Sequence, residues 1–223
     1  MTEKTATTNI HHLIILDESG SMQSIADQTI SSFNALMQQN QSLLSENPDQ
    51  EHRISFFTFN GKGIKTIVFN QMLNEPVSLS ESNYKPNDNT PLWDAMGSSI
   101  LKVKHLVYGK PDHHVLVTII TDGAENVSRE FTGKEIKDMI TTLKENNWAF
   151  AYLGTDHDIE SAADEIGMHS GNRLNWDKTR IHSTVELMQE MRLSFAYRVQ
   201  SKEKVDDNLV FEAVEKIKKK TGN

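Results

Sequence analysis

A carboxylate and two hydroxyls alternate directly after the first strongly apolar stretch of the chain. Residues 13–16 are all aliphatic, Asp17 follows them, and Ser19 and Ser21 come at alternate positions after it. Alternating side chains of a locally extended loop point the same way. One carboxylate and two hydroxyls pointing together form part of a shell for a hard cation that prefers oxygen ligands. We therefore take this loop as the first candidate functional site.

Two later segments supply oxygen atoms in a similar setting. Asp122 follows the apolar run 115–121 and precedes a glycine, so it repeats the pattern of a carboxylate at the end of an apolar run. Thr90 precedes Pro91, a residue that suits the first turn of a helix. The Thr90 hydroxyl at the start of a helix serves equally well as a metal ligand or as a plain N-cap.

The alternative without a metal treats these residues as ordinary loop chemistry. Ser19 and Ser21 are then loop and cap residues, and the two aspartates end strands at turns. Caps alone, however, do not require carboxylates at the ends of two separate buried strands. Asp94 and Glu125 lie close by in sequence, and we interpret them as supporting or solvated groups rather than ligands.

The apolar runs 13–16 and 115–121 predict strands that are buried on both faces, as in a parallel sheet. The carboxyl ends of such strands meet at one sheet edge, where open α/β sheets bind ligands. Apolar spacing of three and four predicts one long amphipathic helix from Met22 to about residue 46. Runs at 53–59 and 64–69, joined by Asn-Gly-Lys-Gly, predict an antiparallel hairpin.

Strand and helix patterns continue to alternate to the end of the chain. The further predicted elements are helices at 92–107, 132–144, 159–166, 178–200 and from 206, and strands at 148–154 and 172–175. This order predicts a doubly wound (Rossmann-like) α/β domain whose mostly parallel sheet has one antiparallel edge strand and helices on both faces. We expect a mobile segment at 1–10, the domain at 11–200, and a C-terminal helix with a basic tail at 201–223.

Composition limits the classes of partner. The 223 residues include 23 basic and 31 acidic ones, a formal charge of −8, which argues against a nucleic-acid surface. Without Cys there are no disulfides or thiolate metal sites, and no apolar run reaches the roughly 18 residues of a membrane span. A cytoplasmic protein without membrane or nucleic-acid partners is therefore expected. The basic cluster 216–220 suits a helix C-terminus better than an anion-binding tail.

Histidines offer two weaker metal candidates. His11 and His12 point to opposite faces of a strand, so they suit one metal poorly, and we predict solvated histidines at the strand start. His157 between Asp156 and Asp158 is either a second metal site or, more commonly, an acid cluster at a helix start.

Taken together, Asp17, Ser19, Ser21, Thr90 and Asp122 resemble the metal-ion-dependent adhesion site of the von Willebrand factor A (vWA) domain, with matching element order over about residues 11–200. The resemblance implies a Mg²⁺ ion, or another divalent cation such as Mn²⁺ or Ca²⁺, held by these five residues. It also implies an open coordination position for an Asp or Glu of a partner protein. Some members of the family are intracellular partners of large ATPase assemblies, and the lack of Cys favours that kind.

The physical chemistry agrees with this function. Mg²⁺ prefers octahedral oxygen ligands, and only two carboxylates are present to neutralise it, so an external carboxylate would bind well. We therefore expect a binding module and not an enzyme. The alternatives are a Mg²⁺-dependent phosphoryl-transfer enzyme with Asp17 as nucleophile, and a purely structural domain with a residual site. Haloacid-dehalogenase-like phosphatases have a second Asp where this chain has Ser19, and no P-loop is present.

Overall fold

The structure, a computed structural model, describes residues 8–154, 158–175, 181–205 and 208–221. The strands are β1 (Thr8–Asp17), β2 (Gln50–Asn60), β3 (Gly63–Met72), β4 (His113–Thr121), β5 (Trp148–Gly154) and β6 (Arg173–Asn175). The α-helices are α1 (Ala26–Gln38), α2 (Asn40–Glu46), α3 (Leu92–Val107), α4 (Gly133–Lys144), α5 (Asp158–Glu165), α6 (Ile181–Gln200) and α7 (Leu209–Thr221). Two short 3₁₀ helices cover Gly20–Ile25 and Ser170–Asn172.

The six strands form one sheet in the order β3-β2-β1-β4-β5-β6. β1 lies in the middle and pairs in parallel with both β2 and β4, with Leu16 opposite Ile120 and Asp17 opposite Phe59. Only β3, joined to β2 by the predicted hairpin, runs antiparallel, and it forms one edge of the sheet. This confirms the predicted fold class of a mostly parallel sheet with one antiparallel edge strand.

Each face of the sheet packs against its own layer of helices. Ile14 and Leu16 of β1 face a core that α1, α6 and α7 complete, whereas Leu13 and Ile15 face the core formed with α3, α4 and α5. Because both faces of β1 are buried, its continuous aliphatic run is the expected sequence pattern. The helix layers leave the carboxyl edge of the sheet to loops.

The long helix predicted after Ser21 is divided into three pieces. A 3₁₀ helix precedes α1, and the chain then breaks at Gln39 before α2 begins. At the break, the buried Asn40 side chain donates a hydrogen bond of 3.1 Å to the Leu73 carbonyl and accepts one of 2.7 Å from Arg192. These contacts with distant segments favour the break and are invisible in the periodicity.

Both ends of the described chain contribute to the domain. β1 already begins at Thr8, with Ile10 buried, and residues 1–7 lie outside the described part. α7 packs its buried Leu209 and Ala213 into the core beside α6. Two of its lysines pair with Glu190 of α6: Lys216 Nζ lies 3.3 Å and Lys220 Nζ 2.8 Å from that carboxylate. No helix of the described residues has the length and apolar character that crossing a bilayer requires.

The prediction of solvated histidines at positions 11 and 12 is wrong. Both are buried, because the strand start lies under the flanking helices. His11 Nε2 lies 2.9 Å from Ser55 Oγ, and His12 Nε2 lies 3.0 Å from His52 Nδ1 with the two rings stacked. His52 in turn contacts the Gln50 side chain at 3.1 Å. Both partners sit on β2, so only the strand pairing reveals them.

Burial makes these histidines poor proton acceptors in the folded state. Burial lowers the pKa of His11 to about 3 and that of His52 to about 4, and it holds the pKa of His12 well below the usual 6.5. The positive charge of Arg192 lowers the pKa of His12 and His52 further. The unfolded chain therefore binds more protons than the folded chain between about pH 4 and 6.5.

We accordingly predict that acid destabilises the fold. The neutral histidines contribute fully to the free energy of unfolding above pH 6.5, and this contribution is lost as the pH falls from 6.5 towards 4. The loss between pH 7 and pH 5 is on the order of 1–2 kcal/mol per buried histidine. His52→Gln should make the fall in unfolding free energy shallower by about that amount, as measured by urea unfolding at both pH values. The exposed His105→Gln is the control, and equal slopes for His52→Gln and the control would contradict the prediction.

Candidate metal centre

Four of the five predicted residues meet through direct contacts at the carboxyl edge of the sheet. Asp17 ends β1, and the Ser19 and Ser21 hydroxyls follow in the turn, 3.1 Å apart. Ser21 Oγ then donates a hydrogen bond of 2.5 Å to Asp122 Oδ1, although 101 positions separate the two residues. Asp122 also raises the pKa of Asp17 through its charge, which places both carboxylates in one electrostatic environment.

Thr90 reaches the same place from the start of α3. A Cβ atom at Gly123 would lie 3.2 Å from Thr90 Oγ1 and 3.4 Å from Ser21 Oγ, so both hydroxyls border the space that this glycine leaves open. The Thr90 backbone is paired with the loop after β4, because its N–H donates to Asn126 Oδ1 at 3.0 Å. The structure thus brings all five predicted residues together.

The hydroxyls are not used as helix caps. The N-cap of α3 is Pro91, that of the 3₁₀ helix is Ser19 and that of α1 is Ile25, and none of them makes a side-chain capping hydrogen bond. A cap at Thr132 shows the contrast, since its hydroxyl and Glu135 form a complete capping box at the start of α4. The structure therefore gives no support to Thr90 as an N-cap, the role that the sequence allowed as readily as that of a metal ligand. It gives no support to a capping role for Ser21 either.

Asp17 is fully buried, and its two oxygens are both engaged. Oδ1 accepts a hydrogen bond of 2.7 Å from the Ser19 N–H, and Oδ2 accepts one of 2.6 Å from Thr121 Oγ1. Burial raises the pKa of Asp17 to about 6, although these hydrogen bonds act in the opposite direction. Thr121 is a site residue that the sequence analysis missed, despite its position next to Asp122 in the same strand end.

Glu18 points away from the centre and fixes the turn to the neighbouring strands. Thr58 Oγ1 donates to its carboxylate at 2.5 Å, the Lys85 N–H donates at 2.7 Å, and Lys65 Nζ lies 2.7 Å from it. Its own N–H donates to the Phe59 carbonyl at 2.7 Å. Glu18 is buried, so these contacts replace the water that the carboxylate loses.

Tyr84 closes the site from the segment that follows β3. Its hydroxyl donates a hydrogen bond of 2.8 Å to the Asp17 carbonyl, and its ring is buried in the core. Burial raises the pKa of Tyr84 well above its usual value, with the nearby charges of Asp17 and Glu18 acting in the same direction. The phenol therefore stays protonated and remains a hydrogen-bond donor.

Asp94 and Glu125 support the loop after β4, which is one of the two roles expected for them from the sequence. Glu125 accepts hydrogen bonds from the Trp93, Val127 and Ser128 backbone N–H groups at 2.7–2.9 Å, and one from Ser128 Oγ at 2.6 Å. Asp94 in the first turn of α3 accepts three more N–H groups, those of residues 129–131, at 2.8–2.9 Å. Both carboxylates are thus committed to the backbone and hold the loop against α3.

The centre is closed on one side and open on the other. Asp17, Ser19, Thr90 and Asp122 are each at most 5% exposed, whereas Ser21 is exposed. The five side chains of the centre offer only oxygen atoms as metal ligands. The described residues include no group of three or more His, Cys, Asp or Glu side chains suited to a metal. Asp156 and His157 of the alternative metal site lie outside the described residues.

Comparisons with known proteins identify the fold. No protein-family model and no curated protein matches the chain. Among solved structures, proximal thread matrix protein 1 from the mussel byssus matches 85% of this chain and 47% of its own length, with 12% identity and a TM-score of 0.58. The pilus adhesin SpaC of Lactobacillus rhamnosus GG matches 84% of this chain and 30% of its own length, with 10% identity and a TM-score of 0.61.

A third structure, the SpRpn10 VWA domain, matches 80% of this chain and 94% of its own length, with 10% identity and a TM-score of 0.51. The chain therefore has a vWA-like fold. It spans about half of the byssus protein and about a third of the adhesin, so it corresponds to one part of those longer chains. At these identities the likeness concerns the fold alone.

The support of the loop can be tested without any ligand. The Glu125 carboxylate accepts four hydrogen bonds. In Glu125→Gln, one of its oxygens becomes an NH₂ group, a donor that lies opposite other donors. We therefore expect the unfolding free energy to fall by about 1–3 kcal/mol. The exposed neighbour Glu130→Gln is the matched control and should stay within about 0.5 kcal/mol of wild type. Equal urea midpoints for both variants would show that the Glu125 contacts do not support the fold.

Proposed function

We propose that this chain is a metal-dependent protein-binding module. Asp17, Ser19, Ser21, Thr90 and Asp122 would hold a Mg²⁺ ion, or another divalent cation such as Mn²⁺ or Ca²⁺, and the ion would capture an Asp or Glu side chain of a partner protein. The observation that carries the proposal is the convergence of these side chains from three distant segments. Their hydroxyls have no capping role that would explain the arrangement otherwise.

The spacing of the oxygens suits a small octahedral ion. Mg²⁺ binds oxygen at about 2.0–2.1 Å, so neighbouring ligands of an octahedron lie about 2.9 Å apart. Ser19 Oγ and Ser21 Oγ are 3.1 Å apart, close to that value. Ser21 Oγ and Asp122 Oδ1 are 2.5 Å apart and would separate by a few tenths of an ångström around an ion. Gly123 has no Cβ atom beside Ser21 Oγ and Thr90 Oγ1, so its side does not oppose that adjustment.

The charge of the site favours an additional anionic ligand from outside. The three hydroxyls are neutral, so two carboxylates at most balance the charge of a divalent ion. Asp17 is shared with the Ser19 N–H and Thr121 Oγ1, which reduces the negative charge that it can offer the ion. An ion held in this way stays electrophilic and prefers a third carboxylate over water. The exposed side at Ser21 is where such a group could approach.

The same geometry disfavours the alternative of a phosphoryl-transfer enzyme. A nucleophilic carboxylate must meet the phosphorus atom of a bulky phosphoryl group in line. Asp17 is 0% exposed, so such a group does not reach it from solvent, whereas a small ion can use the lone pairs that its hydrogen-bonded oxygens retain. We therefore propose a binding role rather than catalysis for the ion.

We place the module in the cytoplasm, where a partner within an intracellular ATPase-type assembly is our first expectation. The absence of Cys suits a reducing compartment. The structures similar to this chain include a vWA domain and a pilus adhesin, and a role in protein interaction is compatible with both likenesses.

The first test is direct binding of Mg²⁺ by calorimetry. Wild type should bind one ion. Asp122→Asn, which removes a negative charge, and Ser21→Ala, which removes a hydroxyl ligand, should each weaken binding at least about tenfold. Because the ion binds only the folded state, an excess of 100 times Kd should add about 2.7 kcal/mol to stability and raise Tm. Asp138→Asn and Ser31→Ala, both exposed and remote, are the matched controls. No binding by wild type, or equal binding by all variants, would overturn the proposal.

The choice between binding and catalysis has its own measurement. A generic phosphomonoester such as p-nitrophenyl phosphate, incubated with the chain and Mg²⁺, should show no turnover, because the buried Asp17 is out of reach of a phosphoryl group from solvent. Turnover that needs Mg²⁺ and disappears in Asp17→Asn would instead support the phosphoryl-transfer alternative.

A further inference from the structure

An open groove of about 540 Å³ lies beside the candidate metal centre. One wall is the β2–β3 turn from Asn60 to Ile64. The other is formed by α3 and by Val127, Arg129 and Glu130 of the loop after β4. Asn89 and Pro91, the two neighbours of Thr90, also line it. The groove therefore continues directly from the segment that brings Thr90 to the site.

The walls of this groove are held in place by contacts already formed in the protein. Gly61 of the turn lies so close to the Asp88 carboxylate that a Cβ atom at this position would overlap with it. Asp94 binds the N–H groups of Arg129 and Glu130 and so fixes the opposite wall to α3. A partner that enters the groove consequently meets a surface that needs little ordering on binding.

Three cationic side chains line the groove, and none of them forms an ion pair among the described residues: Lys62, Lys102 and Arg129. Lys102 Nζ lies 5.2 Å from the centre of the Phe57 ring, a contact that leaves its charge unneutralised. All three side chains are exposed. They differ from Lys65, Lys216 and Lys220, each of which is paired with a glutamate.

Two of the acidic residues at the groove are engaged by the protein, whereas its cations form no ion pair among the described residues. Asp94 and Glu130 line it, and the Asp88 carboxylate lies against Gly61 of its wall, so three carboxylates stand beside the three cations. Asp94 accepts three backbone N–H groups, and Asp88 accepts the Asn89 N–H at 2.8 Å. The three exposed cations therefore remain available for charge-assisted contacts with carboxylates of a ligand.

We propose that this groove binds an extended acidic peptide segment of the partner. One carboxylate of the segment occupies the metal, and acidic residues beside it lie against Lys62, Lys102 and Arg129. This inference rests on the proposed function, because the metal fixes one end of the segment. The groove then provides selectivity: a segment with a single acid binds the ion alone, and a segment with several acids gains charge-assisted contacts with the three cations.

The test compares two probes on the whole chain in Mg²⁺: a fluorescent peptide of six aspartates and acetyl-aspartyl amide, which has a single side-chain carboxylate. Replacing Lys62, Lys102 and Arg129 together by Ala should weaken hexa-aspartate at least fivefold. Affinity for acetyl-aspartyl amide and for Mg²⁺ itself should stay within twofold of wild type. The loss of peptide binding should shrink as salt is raised, because charge–charge contacts are screened.

The control is a triple variant that removes three charges away from the groove, Lys110→Ala, Lys204→Ala and Lys219→Ala, all exposed residues. It should bind hexa-aspartate within twofold of wild type. Equal losses of hexa-aspartate affinity in both triple variants would show that only net charge matters. An unchanged affinity in the groove variant would show that the peptide binds elsewhere. Either result overturns the inference and leaves the metal site intact. Wild type that binds neither Mg²⁺ nor peptide would instead count against the proposed function itself.

Discussion

The structure depends on one buried carboxylate, that of Asp17, at the end of the central strand. A carboxylate out of contact with water is unfavourable unless hydrogen bonds replace its hydration. The replacements come from two directions, from the Ser19 N–H in the next turn and from Thr121 at the end of the neighbouring strand β4. The bond to Ser19 fixes the direction of the chain after β1, and the bond to Thr121 fixes the ends of β1 and β4 relative to each other. With both fixed, Ser21 and Asp122 meet at 2.5 Å.

Other carboxylates extend this constraint to the surrounding loops. Glu18, Asp94 and Glu125 each accept hydrogen bonds from backbone N–H groups of segments without regular structure. Such segments have no sheet or helix partner for these groups, so a side-chain acceptor is what satisfies them. The same three residues therefore stabilise the loops and keep the five oxygen-bearing side chains in a fixed arrangement, which is what a preorganised site requires.

The sequence predicts the parts of this fold that depend on local pattern. The aliphatic run at 13–16, the turn residues Asn60–Gly63 and the spacing within α4 each carry their information within a few neighbours, and the structure agrees with all three. The convergence of Asp17, Ser19, Ser21 and Asp122 also follows, because parallel strands bring their carboxyl ends to one edge. Thr90 joins them from the start of α3. The sequence of elements was enough to place those residues near one another.

What the sequence does not reveal depends on partners that are distant along the chain. His12 looks like a polar residue at a strand start until β2 brings His52 to 3.0 Å, and Asn40 looks like a helical residue until Leu73 and Arg192 bind it. Thr121 and Tyr84 are ordinary residues of a strand and a loop, and only their contacts with Asp17 show their roles. Their types alone carry no signal, since Thr and Tyr occur in such positions for many reasons.

The arrangement of charges explains why a cation and an acidic ligand would belong together at this edge. Without an ion, Asp17 and Asp122 repel each other, and burial already raises the pKa of Asp17 to about 6. An incoming carboxylate would add a third negative charge to that environment, so an acidic ligand is disfavoured before a cation binds. A divalent cation reverses the sign of the local field and makes the third carboxylate favourable. Under the proposed function, electrostatics would therefore set the order of binding: the metal would bind first, and the acidic side chain would bind to the site that the metal creates.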